Sequence, residues 1–186
     1  MSRALLVIDV QNDYFSGRHT ITHPVESFAN IQRAMDVAHA AGMPIVLVQH
    51  TTPEASAMRE FRLDTAGWEI ADAIRTRPHD LVVEKGLPGS FTGTPLEAWL
   101  RARGVDTVVI SGYMTQMCCD TTARQALHLG FSVEFLADAT GTHDVSNTAG
   151  SVSAEELHRA ILVTQAMRFS TVLSVAAWEE LLNAQG

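Results

Sequence analysis

Three helical stretches of this chain each end in a glycine that is followed at once by a short, largely apolar run. The glycines are Gly42, Gly104 and Gly130, and the runs cover residues 44–48, 107–110 and 132–135. A glycine at this position ends a helix in the left-handed conformation, and the run after it predicts a β-strand. Continuous runs, in contrast to alternating ones, are typical of strands covered by helices on both faces.

Further apolar runs at residues 4–8, 81–83 and 171–173 bring the number of predicted strands to about six. Helical stretches separate these strands, and such an alternation produces a parallel sheet with helices on both sides. We therefore predict a Rossmann-like α/β protein with three α/β/α layers and a six-stranded, mostly parallel, doubly wound sheet. The 186 residues suit one compact unit, so we assign residues 1–186 to a single domain.

The charge balance of the chain is acidic. Asp and Glu total 21 against 13 for Lys and Arg, and the sequence contains no basic cluster. Nucleic acids and anionic membranes require such a cluster, so we expect neither as a partner. No apolar segment approaches the ~20 residues that span a bilayer, and the chain enters a strand without the layout of a signal peptide. We therefore expect a cytoplasmic protein.

Residues 112–123, which read Gly-Tyr-Met-Thr-Gln-Met-Cys-Cys-Asp-Thr-Thr-Ala, place a thiol shortly after a buried strand. We predict that Cys118 lies in the first turn of a helix, with Thr115 as the N-cap that accepts from the Cys118 N–H. The positive end of the helix dipole would then favour the thiolate and lower the pKa of Cys118. A small hydrophobic role is the alternative for such a cysteine. We interpret the adjacent Cys119, which faces another direction, as a packed bystander.

Two further polar residues follow predicted strands. Asp9 comes directly after the run 4–8, and Lys85 lies just beyond residues 81–83. The carboxyl ends of parallel strands share one edge of a sheet, so we expect Asp9, Lys85 and Cys118 to converge there. A thiol is weakly ionised at neutral pH, and Asp9 would supply a base while Lys85 would supply a positive charge. Taken singly, Asp9 could cap a turn and Lys85 could be a solvated charge; together the three favour a catalytic triad.

These residues resemble the isochorismatase-like cysteine hydrolases, and the likeness covers almost the whole chain. Residues 9–15 are similar to the family's opening Asp-x-Gln-x-Asp-x-Phe element, Lys85 with residues 90–96 to its lysine loop, and residues 112–126 to its Gly-x-x-Thr-x-x-Cys-x-x-x-Thr-Ala signature. The resemblance implies the sheet order 3-2-1-4-5-6. It also implies Asp9 as the general acid and base, Lys85 as the orienting cation and Cys118 as the nucleophile.

The same resemblance implies a cis peptide bond before Met114. In the family, this bond lets two backbone N–H groups, here those of Met114 and Cys118, form an oxyanion hole. A cis bond before a residue other than proline is rare and persists only where its surroundings force it.

The stretch after the second predicted strand differs from the nicotinamidases of that family. Those members carry an Asp-x-His element and a second histidine that bind a metal, whereas residues 49–53 here read Gln-His-Thr-Thr-Pro. A lone His50 supplies too few ligands for a metal site. We therefore predict no metal and no cofactor, and we disfavour nicotinamide as the substrate.

The presence of the cysteine indicates amide chemistry, because members of the resembled family that cleave isochorismate lack it. We predict a metal-independent hydrolase that cleaves a C–N bond of a small amide, ureide or cyclic amide through a thioester on Cys118. One alternative is an isochorismate-type vinyl-ether hydrolase in which the cysteine is idle. Another is a non-enzymatic, redox-responsive oligomer whose cysteines sense oxidants.

We expect a small-molecule substrate and a homo-oligomer, either a dimer or a tetramer. The candidate walls of the substrate pocket are aromatic and imidazole side chains, namely Phe15, His50, Phe61, Trp68, Phe91 and Tyr113. Each of these side chains could equally belong to the core.

Overall fold

The computed structural model describes residues 2–184, in which eight strands and six helices alternate. The strands are β1 (Arg3–Ile8), β2 (Ile45–His50), β3 (Leu81–Lys85), β4 (Thr107–Tyr113), β5 (Ser132–Gly141), β6 (Val145–Asn147), β7 (Gly150–Val152) and β8 (Thr171–Leu173). The helices are α1 (Ser27–Ala40), α2 (Asp72–Arg75), α3 (Leu96–Ala102), α4 (Asp120–His128), α5 (Ala154–Thr164) and α6 (Val175–Asn183). A 3₁₀ turn covers Asn12–Tyr14, and π-helical turns cover Thr115–Cys119 and Gln165–Phe169.

The main sheet has the strand order β3-β2-β1-β4-β5-β8, and all its neighbouring strands are parallel. The predicted fold and strand order are confirmed; β8 is the sixth strand of this sheet because β6 and β7 form a separate antiparallel hairpin. Strand β1 is central, and its Leu5 lies opposite Ile45 of β2 and Val109 of β4.

Two apolar cores lie on opposite faces of the sheet, because successive side chains of a strand point to opposite sides. Leu5 and Val7 pack in the core that includes Ile31 of α1 and Trp178 of α6. Leu6 and its neighbours on the other face pack in the core that includes Leu100 of α3. A strand buried on both faces must be apolar at nearly every position, which explains the continuous runs in the sequence.

At the edge that holds the carboxyl end of β1, this strand lies between β2 and β4, and the strand order reverses direction there. At this edge β4 passes very close to β1. Gly112 has a φ of +111°, and a Cβ atom there would lie 2.0 Å from the Ile8 carbonyl oxygen. Only glycine permits this approach without displacing a strand. Within residues 2–184 no helix is both long enough and apolar enough to cross a membrane.

Candidate active site

Asp9, Lys85 and Cys118 lie together at this edge. The Lys85 Nζ atom is 2.7 Å from Asp9 Oδ2 and 3.3 Å from Cys118 Sγ. The side chains of Asp9 and Lys85 are 0% exposed, and Cys118 is 7% exposed. The sequence placed these residues 76 and 33 positions apart, and the parallel sheet brings them into direct contact.

Each residue of this cluster lies at the end of a strand or in the segment that follows one. Asp9 follows β1 with a φ of 53°, in the left-handed region that aspartate tolerates better than most residues, and its N–H donates to the Val48 carbonyl. Lys85 is the last residue of β3. Cys118 lies in the π-helical turn that follows β4, after the cis peptide bond between Tyr113 and Met114 that the family resemblance implied.

The expected N-cap at Thr115 is wrong. The turn has Met114 at its N-cap position, and no side chain caps it. The Thr115 hydroxyl lies 2.8 Å from Nδ1 of the buried His158 on α5, so it pairs with that imidazole instead of with the backbone of the turn. The partner is 43 positions away along the chain, and short-range sequence spacing could not have indicated it.

The expected lowering of the Cys118 pKa is also wrong for the substrate-free protein. Burial raises the pKa of the thiol well above its ordinary value, Asp9 raises it further, and the opposing effect of Lys85 is smaller. For Lys85, burial acts to lower the pKa, but the attraction of Asp9 and Cys118 raises it overall. The resting cluster therefore contains a Lys85 ammonium and a protonated Cys118 thiol.

A cavity of about 420 Å³ opens onto Cys118. Its apolar lining consists of Pro53, Met58, Phe61, Pro88, Met114 and Met117. None of the described residues that line it is an aspartate, glutamate, lysine or arginine. Two histidines reach it, and burial lowers the pKa of both His19 and His50, which keeps their imidazoles neutral. The cavity is thus a small, uncharged and mainly apolar chamber of a size suited to a small ligand.

Two of the six expected pocket walls, His50 and Phe61, line this cavity. Phe15 does not, because its ring turns outwards and packs edge-on against Phe28 of α1, with a centroid distance of 4.6 Å. It remains 39% exposed.

Three other expected walls face elsewhere. The Trp68 indole N–H donates to the Thr51 hydroxyl and lies beside a different surface depression. Phe91 stacks on Phe131 at the core that contains α3. Tyr113 is 1% exposed and belongs to the opposite core. Along the chain these residues lie close to the ends of the strands that form this edge, but the direction of each side chain is set by long-range packing.

Gln11 and Asp13 were not expected in the site, yet they fix its walls. The Gln11 side-chain carbonyl accepts from the His50 N–H at 2.9 Å, and its amide donates to the His50 carbonyl at 2.9 Å. Asp13 Oδ2 accepts from the Phe61 N–H at 2.6 Å. The sequence contained a signal for these two residues. Asp9, Gln11 and Asp13 are spaced two residues apart, so three polar side chains lie in one short segment that begins with a candidate catalytic residue.

Arg62 stabilises the loop between His50 and Phe61 through hydrogen bonds to the backbone of the loop. Its guanidinium donates to the carbonyl groups of Pro53, Ser56 and Met58, at 2.9, 2.6 and 2.5 Å. All three accepting residues also line the cavity. Arg62 therefore shapes this wall through backbone contacts.

Residues 3–177 match the family model of the Isochorismatase domain. The chain belongs to the isochorismatase family. The resemblance seen in the sequence is therefore confirmed over nearly its whole length.

Similar proteins of the isochorismatase family include both solved structures and named enzymes. A crystal structure of a family protein from Burkholderia xenovorans LB400 is 45% identical and covers 98% of this chain and 88% of that chain, with a TM-score of 0.93. The uncharacterized protein YddQ of Bacillus subtilis is 34% identical over 96% of this chain and 99% of its own. The ureidoacrylate amidohydrolase RutB of Methylobacterium radiotolerans is 33% identical over 96% of this chain and 79% of its own. The family thus includes hydrolases that act on amide C–N bonds.

In the described part of this isochorismatase-family protein, His50 does not belong to any cluster of side chains that could bind a metal ion. Across residues 2–184, no group of three or more His, Cys, Asp or Glu side chains is arranged to hold a metal ion. The His50 imidazole faces the ring of Phe61 at a centroid distance of 5.9 Å.

The burial of His158, the residue that contacts Thr115, makes the stability of the protein sensitive to acid. Burial lowers the pKa of His158 to about 4, His23 adds to this effect, and a hydrogen bond to the Ala137 carbonyl opposes it. Because the unfolded pKa is about 6.5, protonation between pH 6.5 and 4 favours the unfolded state. This stabilising contribution is complete above pH 6.5 and is lost as the pH falls towards 4.

We therefore expect the melting temperature of the wild-type protein to fall more steeply between pH 7 and pH 4 than that of His158→Gln. The contribution at stake is up to about 3 kcal/mol. Differential scanning calorimetry at several pH values measures it. Parallel slopes for the two proteins would contradict the assignment.

Proposed function

We propose that this protein is a metal-independent amidohydrolase that cleaves a C–N bond of a small amide, ureide or cyclic amide through a thioester on Cys118. The observation that carries the proposal is the position of Lys85 Nζ, within hydrogen-bond distance of both Asp9 Oδ2 and Cys118 Sγ. One ammonium thus links a base to a nucleophile at the mouth of an uncharged cavity.

In the first half-reaction, Asp9 accepts the thiol proton as Cys118 Sγ attacks the substrate carbonyl carbon. Asp9 Oδ2 is occupied by Lys85, whereas Oδ1 is buried and has no hydrogen-bond partner, so it has lone pairs free for a proton. The transfer keeps the net charge of the cluster constant, because one buried anion replaces another beside the same cation. This explains how a thiol with a raised pKa can react without losing its proton to solvent.

The tetrahedral intermediate then collapses as the C–N bond breaks. Asp9 returns its proton to the leaving nitrogen, which departs as ammonia or an amine, and the acyl group stays on Cys118. The backbone N–H groups of Met114 and Cys118 stabilise the oxyanion. In the second half-reaction Asp9 accepts a proton from water as the water attacks the thioester. The acid is released as the C–S bond breaks, and Asp9 returns the proton to Cys118 Sγ to restore the thiol.

The amidohydrolase RutB, which aligns over 96% of this chain, supports amide bonds as the substrate class. The uncharged lining of the cavity supports a neutral substrate, because a charged one would lose its hydration without gaining an ion-pair partner. The same lining argues against isochorismate, a dicarboxylate, as the substrate.

The thioester gives the decisive test. Purified protein is first screened for ammonia release over a panel of small amides and ureides, with Cys118→Ala as the control. Rapid acid quench and intact-protein mass spectrometry during turnover should show the acyl group on the wild type, and hydroxylamine should divert product to a hydroxamate.

Cys118→Ala should carry no adduct and release no ammonia. Ammonia release that persists in Cys118→Ala would contradict the thioester and favour direct attack of water on the amide, with an idle cysteine. A protein inactive on the whole panel, whose oligomeric state changes with oxidant, would favour the redox-responsive alternative.

A further inference from the structure

Two residues that line the cavity each carry a polar side-chain atom without a partner. Thr52 Oγ1 and His50 Nδ1 are both buried and make no hydrogen bond with any described residue. Thr52 is 3% exposed, and both residues line the cavity. A buried polar group without a partner destabilises the folded protein, so such atoms on residues that line a binding cavity point to a ligand that satisfies them.

The backbone of both residues is fixed, so only a rotation of each side chain is needed to turn its polar atom towards a ligand. The Thr52 N–H donates to the Phe61 carbonyl at 2.9 Å. The His50 N–H and carbonyl are both bound by the side chain of Gln11. The neighbouring Lys85 backbone accepts from Thr51 at 2.8 Å, which ties this segment to the reactive cluster. Groups held in this way bind a ligand with little further ordering.

The structure assigns to Thr52 and His50 a neutral hydrogen-bonding subsite for a second uncharged polar group of the substrate. This rests on the proposed function, in which Cys118 attacks a first amide group. The substrate class is therefore a compact molecule that carries a scissile amide and, a few bonds away, another uncharged amide or ureide group.

The chemistry of the two side chains selects this group. A threonine hydroxyl both donates and accepts, and a neutral imidazole Nδ1 does one or the other according to its tautomer. A carboxamide offers both an N–H donor and a carbonyl acceptor, so it can satisfy the two atoms together. Burial, and then Lys85, lower the pKa of His50, so the subsite offers no cation for a carboxylate.

Three probes of equal heavy-atom count test the selection. Succinamide carries a second carboxamide, isocaproamide carries an isopropyl group in its place, and succinamate carries a carboxylate. Their affinities are measured by isothermal titration calorimetry on Cys118→Ala, which binds without turnover. Succinamide should bind about three- to tenfold more tightly than isocaproamide, the effect of a net hydrogen bond, and succinamate should bind most weakly.

A matched pair of variants in the Cys118→Ala background then assigns the effect to Thr52. Thr52→Val should weaken succinamide binding about three- to tenfold and leave isocaproamide unchanged, while it raises the melting temperature by about 2 to 4 °C through removal of an unpaired buried hydroxyl. Thr51→Val is the control, since the Thr51 hydroxyl already accepts from the Trp68 indole N–H. It should lower the melting temperature and leave the affinity for succinamide unchanged.

Equal affinity for succinamide and isocaproamide would overturn the subsite, and so would a Thr52→Val variant that is less stable and binds succinamide as before. Failure of the proposed function has a different result. If succinamide binds preferentially but the wild-type protein releases no ammonia from it or from any amide of the panel, the subsite stands and the amidohydrolase assignment fails.

Discussion

Asp9→Asn should lower amide turnover by about two to four orders of magnitude, the usual effect of losing one acid and base group. Asparagine has nearly the same shape and tolerates the left-handed backbone at this position, where φ is 53°. It cannot accept the thiol proton, return it to the leaving nitrogen or activate water. Both half-reactions should therefore slow, and initial rates of ammonia release measure the loss.

The matched control is Asp80→Asn. Asp80 Oδ2 accepts from the Ile45 N–H at the start of β2, at the end of that strand remote from the site. The same chemical change there should leave turnover close to the wild-type value. If Asp9→Asn retained more than about a tenth of wild-type turnover, Asp9 would not be the proton-transfer group.

Lys85→Met should reduce both stability and activity. The side chains of Lys85 and Asp9 are 0% exposed and 2.7 Å apart, so removal of the cation leaves a buried carboxylate without its partner. Breaking a buried pair in this way costs about 3 to 5 kcal/mol of unfolding free energy. For a chain of this length, that corresponds to a fall in melting temperature of about 10 °C. Turnover should fall by about two to four orders of magnitude, because Asp9 and Cys118 lose their shared ammonium.

The double variant Asp9→Asn/Lys85→Met separates these two effects. Without either charge, the buried cluster is neutral again, so most of the lost stability should return while turnover stays at the level of the worse single variant. Denaturant unfolding and ammonia release are measured on the same four proteins. Additive stability losses in the double variant would show that the two residues are not energetically coupled.

The fold could be predicted because its strands are buried on both faces. The Arg3–Ile8 strand contacts both cores, so nearly every residue in it must be apolar, and a run of this kind is visible in the sequence. The convergence of the three candidate catalytic residues could be predicted for a related reason. Asp9, Lys85 and Cys118 lie at or just beyond strand ends, and parallel strands bring their carboxyl ends to one edge whatever their separation along the chain.

The local geometry of the site could not be predicted in the same way. Whether Thr115 caps the turn depends on His158, which arrives from a helix much later in the chain. The walls of the cavity are formed by loops. The side chains of a loop do not point in directions that repeat along the sequence, as those of a strand or helix do. Phe61 reaches the cavity because Asp13 binds its N–H, whereas Phe91 stacks on Phe131 and does not. Such long-range contacts leave no repeating pattern in a single sequence.

The burial of Lys85 has a practical consequence, because Lys85 is the only lysine in the sequence. Its ammonium is enclosed in the cluster, so reagents that acylate lysine side chains meet no lysine on the folded surface. Acylation of this single residue requires that the cluster open to solvent. The rate of the reaction, compared with the rate in denaturant, therefore measures the free energy of that opening. The chain thus carries its own chemical reporter of how often the reactive centre is exposed.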